Sequence, residues 1–123
     1  MVDRAAVSAW VEGYERAWRT AGTDALTALF TDDATYSMDP YRAAVAGRAA
    51  IDALWERERA GPDEPFTMTW ELVAVEGDTG VVRVEVAYHD SGNQFRDLWI
   101  VHFAADGRCS AFEEWPFWPD KDS

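Results

Sequence analysis

Val7, Trp10, Val11, Tyr14 and Trp18 recur at the three- and four-residue spacing of one helical face, and this stripe opens the chain. Asp3 stands where an N-cap belongs and Gly22 where a helix stops. Thr23 can cap a second, shorter helix whose apolar face is Leu26, Leu29 and Phe30. Ala34 to Met38 then reads as a strand, which Asp39-Pro40 breaks because the residue before proline is restricted. A third helix from about Gly47 presents Ile51, Leu54 and Trp55 together and stops at Gly61-Pro62.

The period changes in the second half. Phe66 to Val75, Val81 to Tyr88, Gln94 to Ala104 and Cys109 to Trp115 are four strand candidates. Short connections rich in Gly, Asp and Asn join them, at residues 76–80, 90–93 and 105–107. Helices first and a meander of long strands last is an α+β pattern. It predicts a cone-shaped, curved antiparallel sheet wrapped around the long N-terminal helix, with two further helices and a cavity between helix and sheet. One domain is expected over 1–119, followed by a short polar tail over 120–123.

Alternation assigns the strand faces. Met68, Trp70 and Leu72 share one face, as do Val82, Val84, Val86 and Tyr88; Thr67, Thr69, Glu71, Arg83 and Glu85 take the opposite side. The third long strand is apolar on both, with Phe95, Trp99, Val101 and Phe103 on one face and Leu98 and Ile100 on the other. Two apolar faces need two covers. The helices supply one, and a second copy of the chain is the expected other, giving a homodimer through the outer sheet face.

Composition narrows the function classes. With 123 residues and nearly half of them apolar, the chain can bury a substantial core. Eleven basic residues against twenty-three acidic ones give a net charge of −12, which repels phosphate backbones and anionic headgroups. Nucleic acid and membrane are therefore not expected partners. A single cysteine, Cys109, excludes an internal disulfide. The N-terminus lacks the apolar run of a signal peptide, and a cytoplasmic location is expected.

The passage Ala25-Leu26-Thr27-Ala28-Leu29-Phe30-Thr31-Asp32-Asp33-Ala34-Thr35, followed by Asp39-Pro40 and the helix start Gly47-Arg48-Ala49-Ala50-Ile51, resembles the nuclear transport factor 2-like superfamily. The likeness is to its SnoaL-like branch, which takes in polyketide cyclases and ketosteroid isomerase-like proteins. It extends more weakly over nearly the whole chain, and the ending Phe112-Glu113-Glu114-Trp115-Pro116-Phe117-Trp118-Pro119 is similar to bacterial members. Such motifs identify a fold better than a reaction.

Carried over residue by residue, the resemblance to ketosteroid isomerases puts their oxyanion-donor tyrosine at Tyr14. Their catalytic aspartate falls at Asp39 if one residue is inserted, and at Met38 otherwise. Their protonated acid falls at Trp99 and a supporting tyrosine at Trp55. An indole N–H donates a hydrogen bond but cannot reproduce a neutral carboxylic acid, so steroid isomerisation is disfavoured. The Asp–Arg–Asp set of limonene epoxide hydrolases is matched poorly, because Arg96 and Asp97 are neighbours on one strand and face opposite ways.

Four residues are the candidates for chemistry. Asp97 shares parity with Phe95, Trp99 and Val101, which sets a carboxylate on an apolar face where burial raises its pKa; a rim position or an arginine partner is the structural alternative. Glu114 shares parity with Phe112 and, as the resemblance to the superfamily implies, points inward, with Glu113 outward unless a bulge before Pro116 exchanges them. Tyr14, on the helix stripe, is either an oxyanion donor or a tie to one of these acids. Asp39 is a base by analogy, or the shaper of a turn. Trp18, Tyr36, Trp55, Trp70, Tyr88, Trp99 and Trp115 are candidates to line the cavity, alongside an ordinary core role.

No metal site is expected, since His89 and His102 lie near no second ligand, and no cofactor motif occurs. These readings point to a SnoaL-like protein with an apolar pocket. It is either a cofactor-independent acid/base enzyme on an apolar carbonyl compound (isomerase, cyclase or dehydratase), a non-catalytic carrier of an apolar metabolite, or an adaptor dimer whose cone its own tryptophans fill.

Overall fold

The computed structural model describes residues 1–58 and 64–119. Helix α1 runs from Arg4 to Trp18, with the Asp3 carboxylate accepting the Ala6 N–H at 2.8 Å as the expected N-cap. It buries Val7, Trp10, Val11 and Tyr14 of the expected stripe, with Ala17 beside them, while Trp18 at its end is half-buried. The second helix, α2, is a single turn, Leu26–Leu29. Phe30 already belongs to strand β1, Phe30–Ser37, which starts four residues before the expected strand. The reason is a register irregularity between Phe30 and Thr35, which breaks the alternation that would have revealed the strand's beginning.

A two-residue strand, β2 (Val45–Ala46), pairs with β1 and is too short to carry a sequence pattern. Helix α3, Arg48–Glu58, buries Ile51, Leu54 and Trp55 as expected; its predicted stop at Gly61-Pro62, like the tail 120–123, lies outside the described residues. The four long strands follow as β3 (Phe66–Glu76), β4 (Thr79–Tyr88), β5 (Gln94–Phe103) and β6 (Cys109–Phe117). A two-residue loop joins β3 to β4, and Gly77 supplies the positive φ of +60° that so tight a connection needs.

The strands form one curved, open sheet in the order β2-β1-β6-β5-β4-β3, so the α+β architecture stands as expected. One pair differs from the antiparallel expectation: β1 and β6 run parallel. They are joined not by a hairpin but by everything between them, and a long crossover permits a parallel pairing that hairpins forbid.

Helix α1 lies on the inner sheet face. Its first half is packed solid: a Cβ on Gly80 would meet the two Val7 methyls at 2.8 and 2.9 Å. Trp10 is the hub, with its ring 5.4–6.4 Å from those of Tyr14, Phe30, Trp99, Phe103 and Phe112 and its indole N–H donated to the Leu29 carbonyl at 2.9 Å. Such edge-on ring packing fills volume completely at that end. Beyond Tyr14 the helix and the sheet diverge. The outer face carries the polar residues that alternation predicts, including the cross-strand pairs Arg83–Glu71 at 2.6 Å and Arg96–Glu85 at 3.1 Å. Leu98, opposite Trp115, is 36% exposed there.

Candidate functional site

A cavity of about 470 Å³ occupies the space between the end of α1, the face of α3 and the near ends of β3 to β6. Its walls follow from strand alternation. Phe66 and Met68 enter from β3, Val86 and Tyr88 from β4, Phe95, Asp97 and Trp99 from β5, and Glu114 and Pro116 from β6. Tyr14 and Trp18 face it from α1, Leu54 and Trp55 from α3, and Tyr36 from β1. The exposed residues Glu58, Ser91 and Asn93 mark where it meets solvent.

Two carboxyl groups share this apolar chamber. Pairing between β5 and β6 is unbroken from Arg96 opposite Phe117 to His102 opposite Ala111, so no bulge exchanges the two glutamates. Glu114 faces the cavity. Glu113 faces out, where its carboxylate binds the His102 ring at 2.8 Å, and the other ring nitrogen meets the Thr79 hydroxyl at 3.2 Å. Trp99 stands opposite Glu114 and Pro116 opposite Asp97, which makes the two acids diagonal neighbours on adjacent antiparallel strands. At that spacing their Cβ atoms are roughly 7 Å apart, close enough for one charge to act on the other.

Glu114 is the centre of a polar cluster. The Tyr14 and Tyr36 hydroxyls share a hydrogen bond of 3.0 Å, and both also hydrogen-bond the Glu114 carboxylate. Desolvation of the carboxyl, helped by the negative charges of Asp97 and Glu58, pushes its pKa from 4.5 up to about 8, while the two tyrosines pull in the opposite direction. Burial, reinforced by the Glu114 charge, likewise holds both tyrosines well above their ordinary value, so they remain hydroxyl donors at every physiological pH. Asp97 is 8% exposed, and one of its oxygens accepts the Trp99 indole N–H at 3.2 Å. On the opposite wall Trp18 donates to the Tyr88 oxygen, and burial raises that hydroxyl's pKa too.

The structure therefore brings together Tyr14, Trp18, Tyr36, Trp55, Tyr88, Asp97, Trp99 and Glu114. Three other expected residues lie elsewhere. Asp39 is 41% exposed in a turn, accepting the Tyr41 N–H at 2.8 Å and pairing with Arg42 at 3.3 Å, which is the turn-shaping role of an aspartate before proline. Trp115 follows Glu113 to the outer face. Trp70 has the inner parity but packs against the filled end of the core, opposite Val84. Conversely, Phe66, Met68, Val86 and Phe95 line the cavity with the parity their strands predict. Trp118 joins them from beyond the end of β6, its ring 6.1 Å from that of Phe95, where no alternation could place it.

Among the described residues no three His, Cys, Asp or Glu side chains converge as metal ligands would, and no helix is long and apolar enough to cross a membrane. Cys109 is buried in the sheet, with its thiol pushed up to about 12 by desolvation, which leaves it without nucleophilic character at neutral pH.

Comparison with known proteins gives a family and a fold. The family model described as SnoaL-like domain matches residues 11–112. No curated protein matches the chain. Among solved structures, SalBIII, an epoxide hydrolase/cyclase-like enzyme of pyran ring formation in the polyether salinomycin, superposes with a TM-score of 0.74 at 17% identity, covering 98% of this chain and 95% of that one. A protein of Kribbella flavida DSM 17836, provisionally described as a ketosteroid isomerase, gives 0.67 at 21% identity over 97% and 82% of the two chains. A protein of Sinorhizobium meliloti, provisionally described as a polyketide cyclase, gives 0.62 at 25% identity over 85% and 92%.

Proposed function

The chain belongs to the SnoaL-like domain family, and from that premise we propose that it is a cofactor-independent enzyme moving protons on an apolar carbonyl compound. The observation that carries this reading is the convergence of Asp97, Glu114, Tyr14 and Tyr36 in one largely aromatic cavity. At neutral pH Glu114 holds its proton, and the charge that opposes its ionisation sits in part on Asp97. Two carboxyl groups set side by side in one apolar cavity can divide the roles of base and acid, which is what proton transfer through an enol requires.

Asp97 takes the proton from the carbon beside the carbonyl. As negative charge develops on the oxygen, the Glu114 proton and the tyrosine hydroxyls meet it in a site sheltered from water, where such bonds are strongest. Isomerisation, aldol-type cyclisation and dehydration all proceed through this exchange. The similar solved structures provisionally described as a ketosteroid isomerase and a polyketide cyclase are compatible with it.

A second reading is favoured by the completeness of the Tyr14–Tyr36–Glu114 network: the cluster would anchor an apolar metabolite without turning it over. The test is a thermal-shift screen of polycyclic ketones, enones, lactones and epoxides on the wild type, Asp97→Asn and Glu114→Gln. Ligands that stabilise all three proteins, with turnover confined to the wild type, support the enzyme. Turnover retained by both variants removes the two acids from the chemistry, and binding without turnover in any protein leaves the carrier. The apolar outer strip of Leu98, Ile100 and Trp115 supports a homodimer, which a monomeric mass in light scattering at micromolar concentration would overturn.

A further inference from the structure

Three indoles of the core and the cavity wall have acceptors within the protein. Trp10 donates its N–H to the Leu29 carbonyl, Trp99 to Asp97 and Trp18 to the Tyr88 oxygen. Trp55 differs. It is 1% exposed and stands in the cavity wall, yet among the described residues its indole N–H has no acceptor. Helix α3 buries it together with Ile51 and Leu54, and the surfaces beside it are rings. Tyr14 lies 5.0 Å away and Trp18 4.8 Å away between ring centres, both in edge-on contact.

A buried donor without an acceptor loses its hydration and gains nothing in return, and folded proteins keep few such groups. A phenylalanine would line the same wall without that cost, and contact between an N–H and a ring face is only a weak substitute for a hydrogen bond. An acceptor that arrives with a ligand completes the site. Tyr14 links this donor to the polar cluster, since its ring packs on Trp55 while its hydroxyl bonds that of Tyr36 beside Glu114. The two stations thus lie on either side of one tyrosine, a span that a molecule of two fused rings can cover. We propose that Trp55 is a specificity-determining donor and that the substrate carries a second carbonyl oxygen for it, held there while the reacting carbonyl meets Glu114, Tyr14 and Tyr36. This rests on the reading of the cavity as a site for an apolar carbonyl compound.

The probes are 2-decalone and a set of decalindiones that add a second carbonyl at different ring positions, titrated calorimetrically into the wild type and Trp55→Phe. For at least one dione, the affinity relative to 2-decalone is about tenfold higher in the wild type than in Trp55→Phe, the factor expected when a buried donor gains its acceptor. Taking the ratio within each protein separates the lost N–H from the change of shape that the smaller ring brings. Proton–nitrogen correlation spectra of the wild type need no variant: the Trp55 indole resonance moves downfield with that dione and not with 2-decalone. A ratio that Trp55→Phe leaves unchanged, or an indole resonance that no bound dione moves downfield, overturns the proposal and leaves the cavity reading standing. Failure of every ketone to bind overturns both.

Discussion

Replacing Glu114 by Gln removes a proton-binding site from the folded protein and keeps the shape of the side chain, so its effect must depend on pH. In the folded protein the carboxyl titrates near pH 8, against 4.5 when it is solvated. Between those values the folded state holds a proton that the unfolded state has released. Proton binding then favours folding; the contribution is fully present below pH 4.5 and is lost as pH rises through about 8. Linkage gives a contribution of roughly 3 kcal/mol at pH 6 and well under roughly 1 kcal/mol at pH 8, a fall of about 2 kcal/mol. Glutamine has nothing to titrate. Urea unfolding of both proteins at pH 6 and pH 8 should therefore show the wild type losing about 2 kcal/mol more than Glu114→Gln over that interval, a difference of about 1 M in urea midpoint. Titrating groups that do not interact with Glu114 cancel in the comparison. Equal pH slopes in the two proteins would refute the buried, protonated carboxyl on which the assignment of acid and base depends.

Two further outcomes follow from particular contacts. Tyr36→Phe and Tyr14→Phe each delete a hydrogen bond that favours the charged form of Glu114, so both should raise its titration midpoint in carbonyl-detected NMR, Tyr36→Phe by more because its bond has the larger effect. A lower midpoint in either variant would contradict the network. Gly80→Ala drives a methyl into Val7 and should cost about 1–3 kcal/mol. Adding Val7→Ala should recover part of that loss in a double-mutant cycle, whereas simple additivity would show that the two residues do not touch.

Much of this arrangement was legible in the sequence, and the parts that were not have physical reasons. The α1 stripe and the strand alternation placed Tyr14 and Asp97 on inner faces, because a period of 3.6 or of 2 is enforced wherever one side is buried, and the family resemblance added Glu114. Alternation stops working where register shifts, which hid the start of β1. It says nothing about partners separated by a long crossover, which hid the parallel β1–β6 pair. Trp115 shares parity with Glu113, so alternation alone sets it on the outer face, and its aromatic character was no guide to the cavity. Trp70 illustrates a different limit, since an inner face extends along the whole sheet while the cavity occupies only the end that α1 leaves unfilled. Glu58, Glu64 and Trp118 reach the site from element ends, where no period constrains a side chain.

The central claim is that Asp97 and Glu114 transfer protons to and from a carbonyl compound, and this can be measured before any natural substrate is identified. Cyclic ketones and enones are incubated with the protein in deuterated buffer, and the hydrogens beside the carbonyl are followed by proton NMR. Exchange faster than the buffer rate in the wild type, falling to the buffer rate in Asp97→Asn while that variant still binds the ketone, is the predicted result. Ketones that bind yet exchange no faster than in buffer, or exchange that Asp97→Asn leaves untouched, would contradict it.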